Sequence, residues 1–217
     1  IINKMQEFAG EQKVVRITED AYLQGIVSKD ASKVFELSIK GRHNLFNAAC
    51  VVEACRMLNL PEHAIATGLK SFVNLPHRLE SCGEINGIEF INDSKATNVD
   101  SVYYALDAMT KSVIWIAGGT DKGNDYSVLF PLVKNRVKAL ICLGMDNEKL
   151  KSSFKSHIPI IYETTKVSEA VETGLKLGES GDVVLLSPAC ASFDLFKNYM
   201  DRGDQFKACV EGLKISN

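Results

Sequence analysis

From residue 113 onward, short and almost wholly apolar runs alternate with amphipathic stretches, and this alternation most narrows the possible folds. The apolar runs cover 113–117, 137–143, 158–162 and 182–186. Helical spacing fills the gaps at about 98–110, 127–135, 146–155 and 166–177, and a last helix is expected from Asp194 into the C-terminus. Strands that are apolar on both faces need cover on both faces, and strand–helix alternation supplies it around a parallel sheet.

The expected architecture for 76–217 is therefore α/β, a Rossmann-like, mostly parallel sheet with helices on both faces. A hairpin leads into it, with runs at 79–85 and 88–91 joined by Asn86-Gly87, a strong type I′ turn signal. Residues 1–75 read differently. Short β-type runs at 14–17, 22–27 and 34–39, with a hairpin loop at 28–33, precede a helix after Gly41 whose apolar face is Leu45, Phe46, Ala49, Val52, Ala54, Cys55 and Leu58. Pro61 opens a second helix to about Leu69. Too few strands are present for a full sheet, so this segment is expected to be the end of a domain that begins upstream.

Length and charge set outer limits. The 217 residues are 46% hydrophobic with a formal net charge of -2, which offers no basic excess for nucleic acid. No apolar stretch approaches the ~20 residues that span a bilayer. The six cysteines (50, 55, 82, 142, 190 and 209) include no C-x-x-C pair, so buried free thiols in a reducing compartment are expected. His43, His63, His77 and His157 are scattered, and no metal or His-based catalytic cluster is expected from them.

Function is expected at the loops that follow the strands, because in a parallel sheet they share one edge. The first loop, after the run 88–91, reads Asn92-Asp93-Ser94-Lys95-Ala96-Thr97-Asn98. Lys95 offers an anion a point charge, and Thr97 and Asn98 offer donors beside a helix N-terminus. Capping accounts for Asn98 or Asp93 but not for Lys95, which is read here as standing in the helix's first turn, where the macrodipole disfavours a cation. The second loop, Gly118-Gly119-Thr120-Asp121-Lys122-Gly123-Asn124-Asp125, has glycines that allow close backbone approach. The third reads Ser187-Pro188-Ala189-Cys190-Ala191-Ser192-Phe193-Asp194, with Pro188 expected to end the strand and Ser192 to stand just before the last helix. Converging loops with two lysines and free amides suit an anionic ligand. Gly118 and Gly123 have P-loop spacing, but Asn124 replaces the required Lys, and no G-x-G-x-x-G occurs.

These three loops closely resemble those in the C-terminal part of the Mur ligases, in the branch that adds D-glutamate. Gly41-Arg42-His43-Asn44-Leu45-Phe46-Asn47 and Leu75-Pro76-His77-Arg78 resemble the family's late central-domain helix and interdomain linker. The likeness runs from about Gly41 to Leu213, with five motifs in order. A diamino-acid D-N-P-R segment, found in relatives that make the tripeptide, is absent here. The resemblance implies ATP-dependent amide formation through an acyl phosphate, joining D-glutamate to UDP-N-acetylmuramoyl-L-alanine in cytoplasmic peptidoglycan synthesis. It implies that Asn44 and Asn47 approach the adenine nucleotide. His77 and Arg78 then face the phosphates, with Arg78 stabilising the transferring group, and Asp93 holds the ribose. Lys95 lies near phosphates or the incoming amino acid. Thr97 and Lys122 bind one carboxylate of D-glutamate; Ser192 and the backbone near Phe193 and Tyr199 bind the other, with Arg202 in support. The second loop departs from the family's pattern in reading Thr120-Asp121 before Lys122, which leaves an acidic role at Asp121 open, and Cys190 reads as a packed residue rather than a nucleophile.

The family's P-loop, UDP-binding domain, Mg²⁺ ligands and carbamylated lysine have no counterpart in these residues. The expectation is a C-terminal fragment, residues 1–75 ending the ATP-binding domain and 76–217 forming the D-glutamate domain, inactive alone. Two alternatives stand: a folylpolyglutamate synthase-like ligase, and a non-catalytic module binding an anionic metabolite.

Overall fold

The computed structural model describes residues 35–38 and 42–216, in two compact units divided between Val73 and Asn74. The runs expected at 14–17 and 22–27 and the loop at 28–33 lie outside the described residues, and the described part of the third run, 35–38, is not strand.

In the first unit, α1 (Arg42–Met57) and α2 (Glu62–Ser71) enclose a small core of Phe35, Ala48, Ala49, Val52 and Ile65. Arg56 joins the helices, its Nη1 donating to Glu53 and its Nε and Nη2 forking onto Glu62 at 2.9 and 3.1 Å. The buried stripe is narrower than the sequence pattern suggests: Leu45, Phe46 and Leu58 are exposed, and so is Cys50, expected to be buried.

The second unit is built on a six-stranded sheet in the order β1-β2-β6-β3-β4-β5. The strands are β1 (Glu80–Ile85), β2 (Ile88–Asn92), β3 (Val113–Gly118), β4 (Val137–Leu143), β5 (Ile160–Thr164) and β6 (Val183–Ala189). Asn86 and Gly87, at φ 53° and 79°, make the expected two-residue turn of the antiparallel β1–β2 hairpin, and all other pairings are parallel. Every residue of β3 and β6 is buried, as central strands covered on both faces require.

Alternation along β3 separates the two halves of the core. Val113, Trp115 and Ala117 pack with α3 (Val99–Ala108), α4 (Phe130–Arg136) and α5 (Glu148–Phe154), where Leu106, Val133 and Phe154 are fully buried. Ile114 and Ile116 pack with α6 (Val167–Leu177) and α7 (Tyr199–Ser216) through Val171, Phe206 and Val210. The chain lays down β2 to β5 in one direction with α3, α4 and α5 on the first face. It then returns through α6 on the second face to insert β6 between β2 and β3. Reversing direction across a parallel sheet while keeping one handedness forces this change of face. The loops after β2 and β3 lead to one face and the loop after β6 to the other, so the topology switches at the carboxyl edge of β2, β6 and β3, the edge at which such sheets take ligands.

Three local readings are corrected. Helix α3 starts at Val99 and is capped by Asn98, whose Oδ1 accepts Ser101 N–H at 2.8 Å. Lys95 therefore lies in the loop ahead of the helix, and the macrodipole argument for it falls. Pro188 does not end β6, which runs to Ala189: the register against β3 slips between Ile116 and Gly118, and this bulge takes Pro188 without a missing ladder bond. The last helix begins at Tyr199 rather than Asp194, with Asn198 Oδ1 accepting Asp201 N–H at 2.9 Å, so Ser192 does not cap it.

Candidate functional site

The three loops are stitched together by their own backbones. The amide of Ala189 donates to the carbonyl of Ala96 at 2.9 Å, joining the first loop to the third. Thr120 and Ala191 exchange both backbone bonds, at 2.8 and 3.2 Å, joining the second to the third. Gly119 makes this approach possible: at φ 123° an added Cβ would stand 2.2 Å from the carbonyl oxygen of Ala191. Ala189 sits at φ 60°, a conformation rare for a residue with a side chain, held by bonds to its amide and its carbonyl.

Beneath the loops lies a polar layer with no exposed side chain. Asn92 Nδ2 lies 3.0 Å from His77 Nδ1 and donates to Glu80 at 3.2 Å, and Asn92 Oδ1 accepts the Ser94 amide. Asp93 accepts Ser187 Oγ–H at 2.8 Å on one oxygen and Leu79 N–H at 3.3 Å on the other. Burial pushes the Asp93 carboxyl up to about 7 against these bonds and the charge of Arg78. Ser94 Oγ donates to the Tyr199 carbonyl at 2.7 Å and accepts Arg202 Nε–H at 3.0 Å. Trp115, fully buried on β3, donates its indole N–H to the Ser187 carbonyl at 2.7 Å.

Arg78 stands out from this layer between two anchored neighbours. His77 and Leu79 both adopt positive φ, 65° and 43°, unusual for non-glycine residues. The His77 ring is buried against Asn92 and Gly203, where a Cβ on Gly203 would stand 2.2 Å from Nδ1. The His77 amide donates to Glu80 and its carbonyl accepts the Lys95 amide, while Leu79 N–H is held by Asp93. Arg78 itself is exposed.

The second loop is organised by Asp121. Burial raises its pKa, but hydrogen bonds from Lys149, from Tyr126 and from the amides of Gly123 and Asn124 prevail and hold it at about 2. This ionised carboxylate folds the turn that projects Lys122, which is exposed. Cys190 is buried beside Tyr126 Oη at 3.3 Å, and burial raises its thiol pKa, which suits a packed thiol and not a nucleophile.

The expected site residues thus separate. Asn44 is buried and Asn47 exposed on α1, in the first unit. In the second unit, Arg78, Lys122 and Phe193 are exposed; Lys95, Thr97 and Tyr199 are half-buried; His77, Asp93, Ser192 and Arg202 are buried. The Lys95 ammonium lies 3.9 Å from the centre of the Tyr199 ring, a cation–π contact that fixes its position and leaves its charge unneutralised. Sequence reading assigned no role to Asn92, Ser187, Gly203 or Glu80, which carry the support; only the polar run after β2 hinted at it. Among the described residues no helix is long and apolar enough to cross a membrane.

Known proteins place this geometry. A family model described as "Mur ligase, glutamate ligase domain" matches residues 77–190. The chain is 50% identical to the UDP-N-acetylmuramoylalanine--D-glutamate ligase of Christiangramia forsetii over 82% of this chain and 40% of that protein. It is also 50% identical to the same-named ligase of Cytophaga hutchinsonii, over 81% of this chain and 39% of the relative. The chain spans about two fifths of the length of these curated relatives. Among solved structures, the UDP-N-acetylmuramate-alanine ligase MurC of Thermotoga maritima superposes with a TM-score of 0.62 at 17% identity, covering 86% of this chain and 42% of that one. The Mycobacterium tuberculosis folylpolyglutamate synthase complexed with ADP gives 0.62 at 12% identity, over 82% and 42%; at such identities the likeness concerns the fold. Profile, relatives and architecture agree: the chain belongs to the Mur ligase family and carries its glutamate ligase domain.

Proposed function

We propose that the second unit is the D-glutamate-binding domain of a ligase that joins D-glutamate to UDP-N-acetylmuramoyl-L-alanine with ATP, a cytoplasmic step of peptidoglycan synthesis. The observation that carries this reading is 50% identity, across 82% of the chain, to relatives named for D-glutamate ligation. The geometry supports it. D-Glutamate presents two carboxylates and an amine, and the loops at this edge offer two sets of groups, one on the first two loops and one on the third. Lys122 and Thr97 receive one carboxylate, and the Ser192 hydroxyl with the backbone near Phe193 and Tyr199 receives the other.

In the reaction, ATP transfers its γ-phosphoryl group to the carboxylate of UDP-N-acetylmuramoyl-L-alanine. The amine of D-glutamate then attacks the acyl carbon, phosphate leaves, and the amine loses its proton as the amide forms. Lys95, held over Tyr199 with its charge unpaired, is suited to the anionic centre; Arg78, exposed between two fixed neighbours, is suited to the transferring phosphoryl group. His77 and Asp93 do not fit direct nucleotide contact as they stand, because the ring is engaged by Asn92 and the carboxylate by Ser187 and Leu79 in the layer beneath. They serve instead to hold Arg78. Asn44 and Asn47, on the first unit, are assigned to the nucleotide by resemblance, and that unit to the end of the ATP-binding domain. Among the described residues no group of three or more His, Cys, Asp or Glu gathers for a metal; no residue here is assigned to the Mg²⁺ that accompanies ATP.

Phosphate release by the full-length ligase tests the proposal. With ATP and UDP-N-acetylmuramoyl-L-alanine, release is expected to require D-glutamate and not to be supported by L-glutamate or L-lysine. Release with L-glutamate on a folate acceptor would move the chain to the folylpolyglutamate synthases, and no D-glutamate-dependent release would overturn the reading.

A further inference from the structure

Arg202 is a charge held at a clear electrostatic cost. It lies in the first turn of α7, the end of a helix that disfavours a cation, and it is 1% exposed. Among the described residues no carboxylate lies within ion-pair distance of it, and burial lowers its pKa to about 10. Its donors are all committed. Nε donates to Ser94 Oγ at 3.0 Å, Nη2 to the Ser94 and Cys190 carbonyls at 3.0 and 3.4 Å, and Nη1 to the Gly118 and Cys190 carbonyls, both at 3.4 Å. Five N–H groups meet acceptors from all three loops, so no donor remains for a ligand.

Stability alone does not call for this arrangement. A buried charge solvated only by carbonyls and one hydroxyl is commonly no better than an apolar side chain of similar volume. The fork does achieve two things together. It fixes the ends of β2, β3 and β6 relative to one another, and it leaves one positive charge, without a direct ion pair and feeling only the more distant field of Asp194, under the loops in a low-dielectric interior.

We propose that Arg202 is a positioning residue for the acidic amino-acid pocket, setting the three loops in register from beneath and supplying the charge that a dianionic substrate balances. The proposal rests on the reading that this pocket takes D-glutamate. It also corrects the sequence-based expectation, since Arg202 supports the substrate without touching it.

The test uses the full-length ligase carrying Arg202→Lys or Arg202→Met. A lysine keeps the charge but cannot reach all three loops, so KM for D-glutamate is expected to rise roughly tenfold or more while KM for ATP stays within about twofold. Hydrogen exchange at the backbone amides of 94–97, 118–121 and 189–192 is expected to quicken in the same variant. Arg202→Met, which loses charge and fork, is expected to lower kcat/KM for D-glutamate by roughly a hundredfold. A folded Arg202→Lys enzyme with wild-type KM for D-glutamate, or with unchanged loop exchange, overturns the proposal. Should Arg202→Met fail to fold, Arg202→Lys decides alone. A wild-type enzyme that ignores D-glutamate overturns the substrate reading instead, and the exchange measurement still decides whether Arg202 positions the loops.

Discussion

The layer beneath the three loops and the rim above them are built on opposite terms. Below, Asn92, Ser94 and Ser187 are wholly buried, Arg202 nearly so, and each is bonded to a partner far away in the chain. Above, Arg78 and Lys122 are exposed, and Phe193 is 71% exposed. Residues adjacent in sequence fall on different sides of this divide: Ser94 is buried and Lys95 stands above it, and Arg78 projects between His77 and Leu79. The contrast teaches that one short motif mixes exposed groups, free to meet a ligand, with buried groups that hold them still. Substitutions below should therefore change stability or the set of the loops, and substitutions above should cost substrate use with little change in stability.

The largest expected effect is at Gly119. An alanine there must adopt φ 123° and bring its Cβ to 2.2 Å from the Ala191 carbonyl oxygen, so the bridge between Thr120 and Ala191 has to open. Gly119→Ala is expected to lower unfolding stability by roughly 2–4 kcal/mol, measured by urea denaturation. A loss below about 0.5 kcal/mol would mean that the loops yield freely, and the lower layer would not be the rigid part.

Asp93 gives an effect of similar size that emerges only with pH, and a sign to check. Its carboxyl titrates at about 7 when folded, against about 3.9 unfolded. The stabilising share is therefore complete below about pH 4, is lost as pH rises towards 7, and stays flat above. Three units correspond to on the order of 4 kcal/mol. Asp93→Asn keeps an acceptor for Leu79 N–H and has no charge to bury, so its stability advantage over wild type should grow between pH 4 and 7. Parallel stability–pH curves for the two proteins would show that Asp93 ionises freely and belongs with the exposed groups.

The smallest effect on stability is expected at Lys122, whose ammonium is exposed and has no ion pair or hydrogen bond among the described residues. Lys122→Ala in the full-length ligase should melt within about 0.5 kcal/mol of wild type. A lost charge-assisted contact, ~1.5–3 kcal/mol, should raise KM for D-glutamate roughly tenfold or more. An unchanged D-glutamate KM with altered ATP kinetics would reassign Lys122 to the nucleotide.

Much of the architecture was legible because it is local. Unbroken apolar runs, amphipathic gaps and Asn86-Gly87 each act within about ten residues, and they yielded the strands, the helices between them and the hairpin. The errors were local as well. Pro188 read as a stop because a proline costs a ladder bond, yet a bulge against β3 removed the need for that bond. Asp194 and Ser192 read as a helix start, yet the turn that includes the Phe196 N–H bond to the Ser192 carbonyl delays the helix to Tyr199.

By itself the sequence determined a parallel α/β layer, three loops rich in polar and charged residues at one edge, and a family. Only the tertiary structure decided that β6 enters between β2 and β3, and which polar residues lie below and which above. Strand order depends on pairing between segments separated by many tens of residues, such as Asn92 with Leu186. Burial likewise depends on partners that no local pattern announces. The Ser94–Arg202 bond spans 108 residues, and it makes Ser94 a buried tie while Lys95, next to it, places its ammonium over the Tyr199 ring.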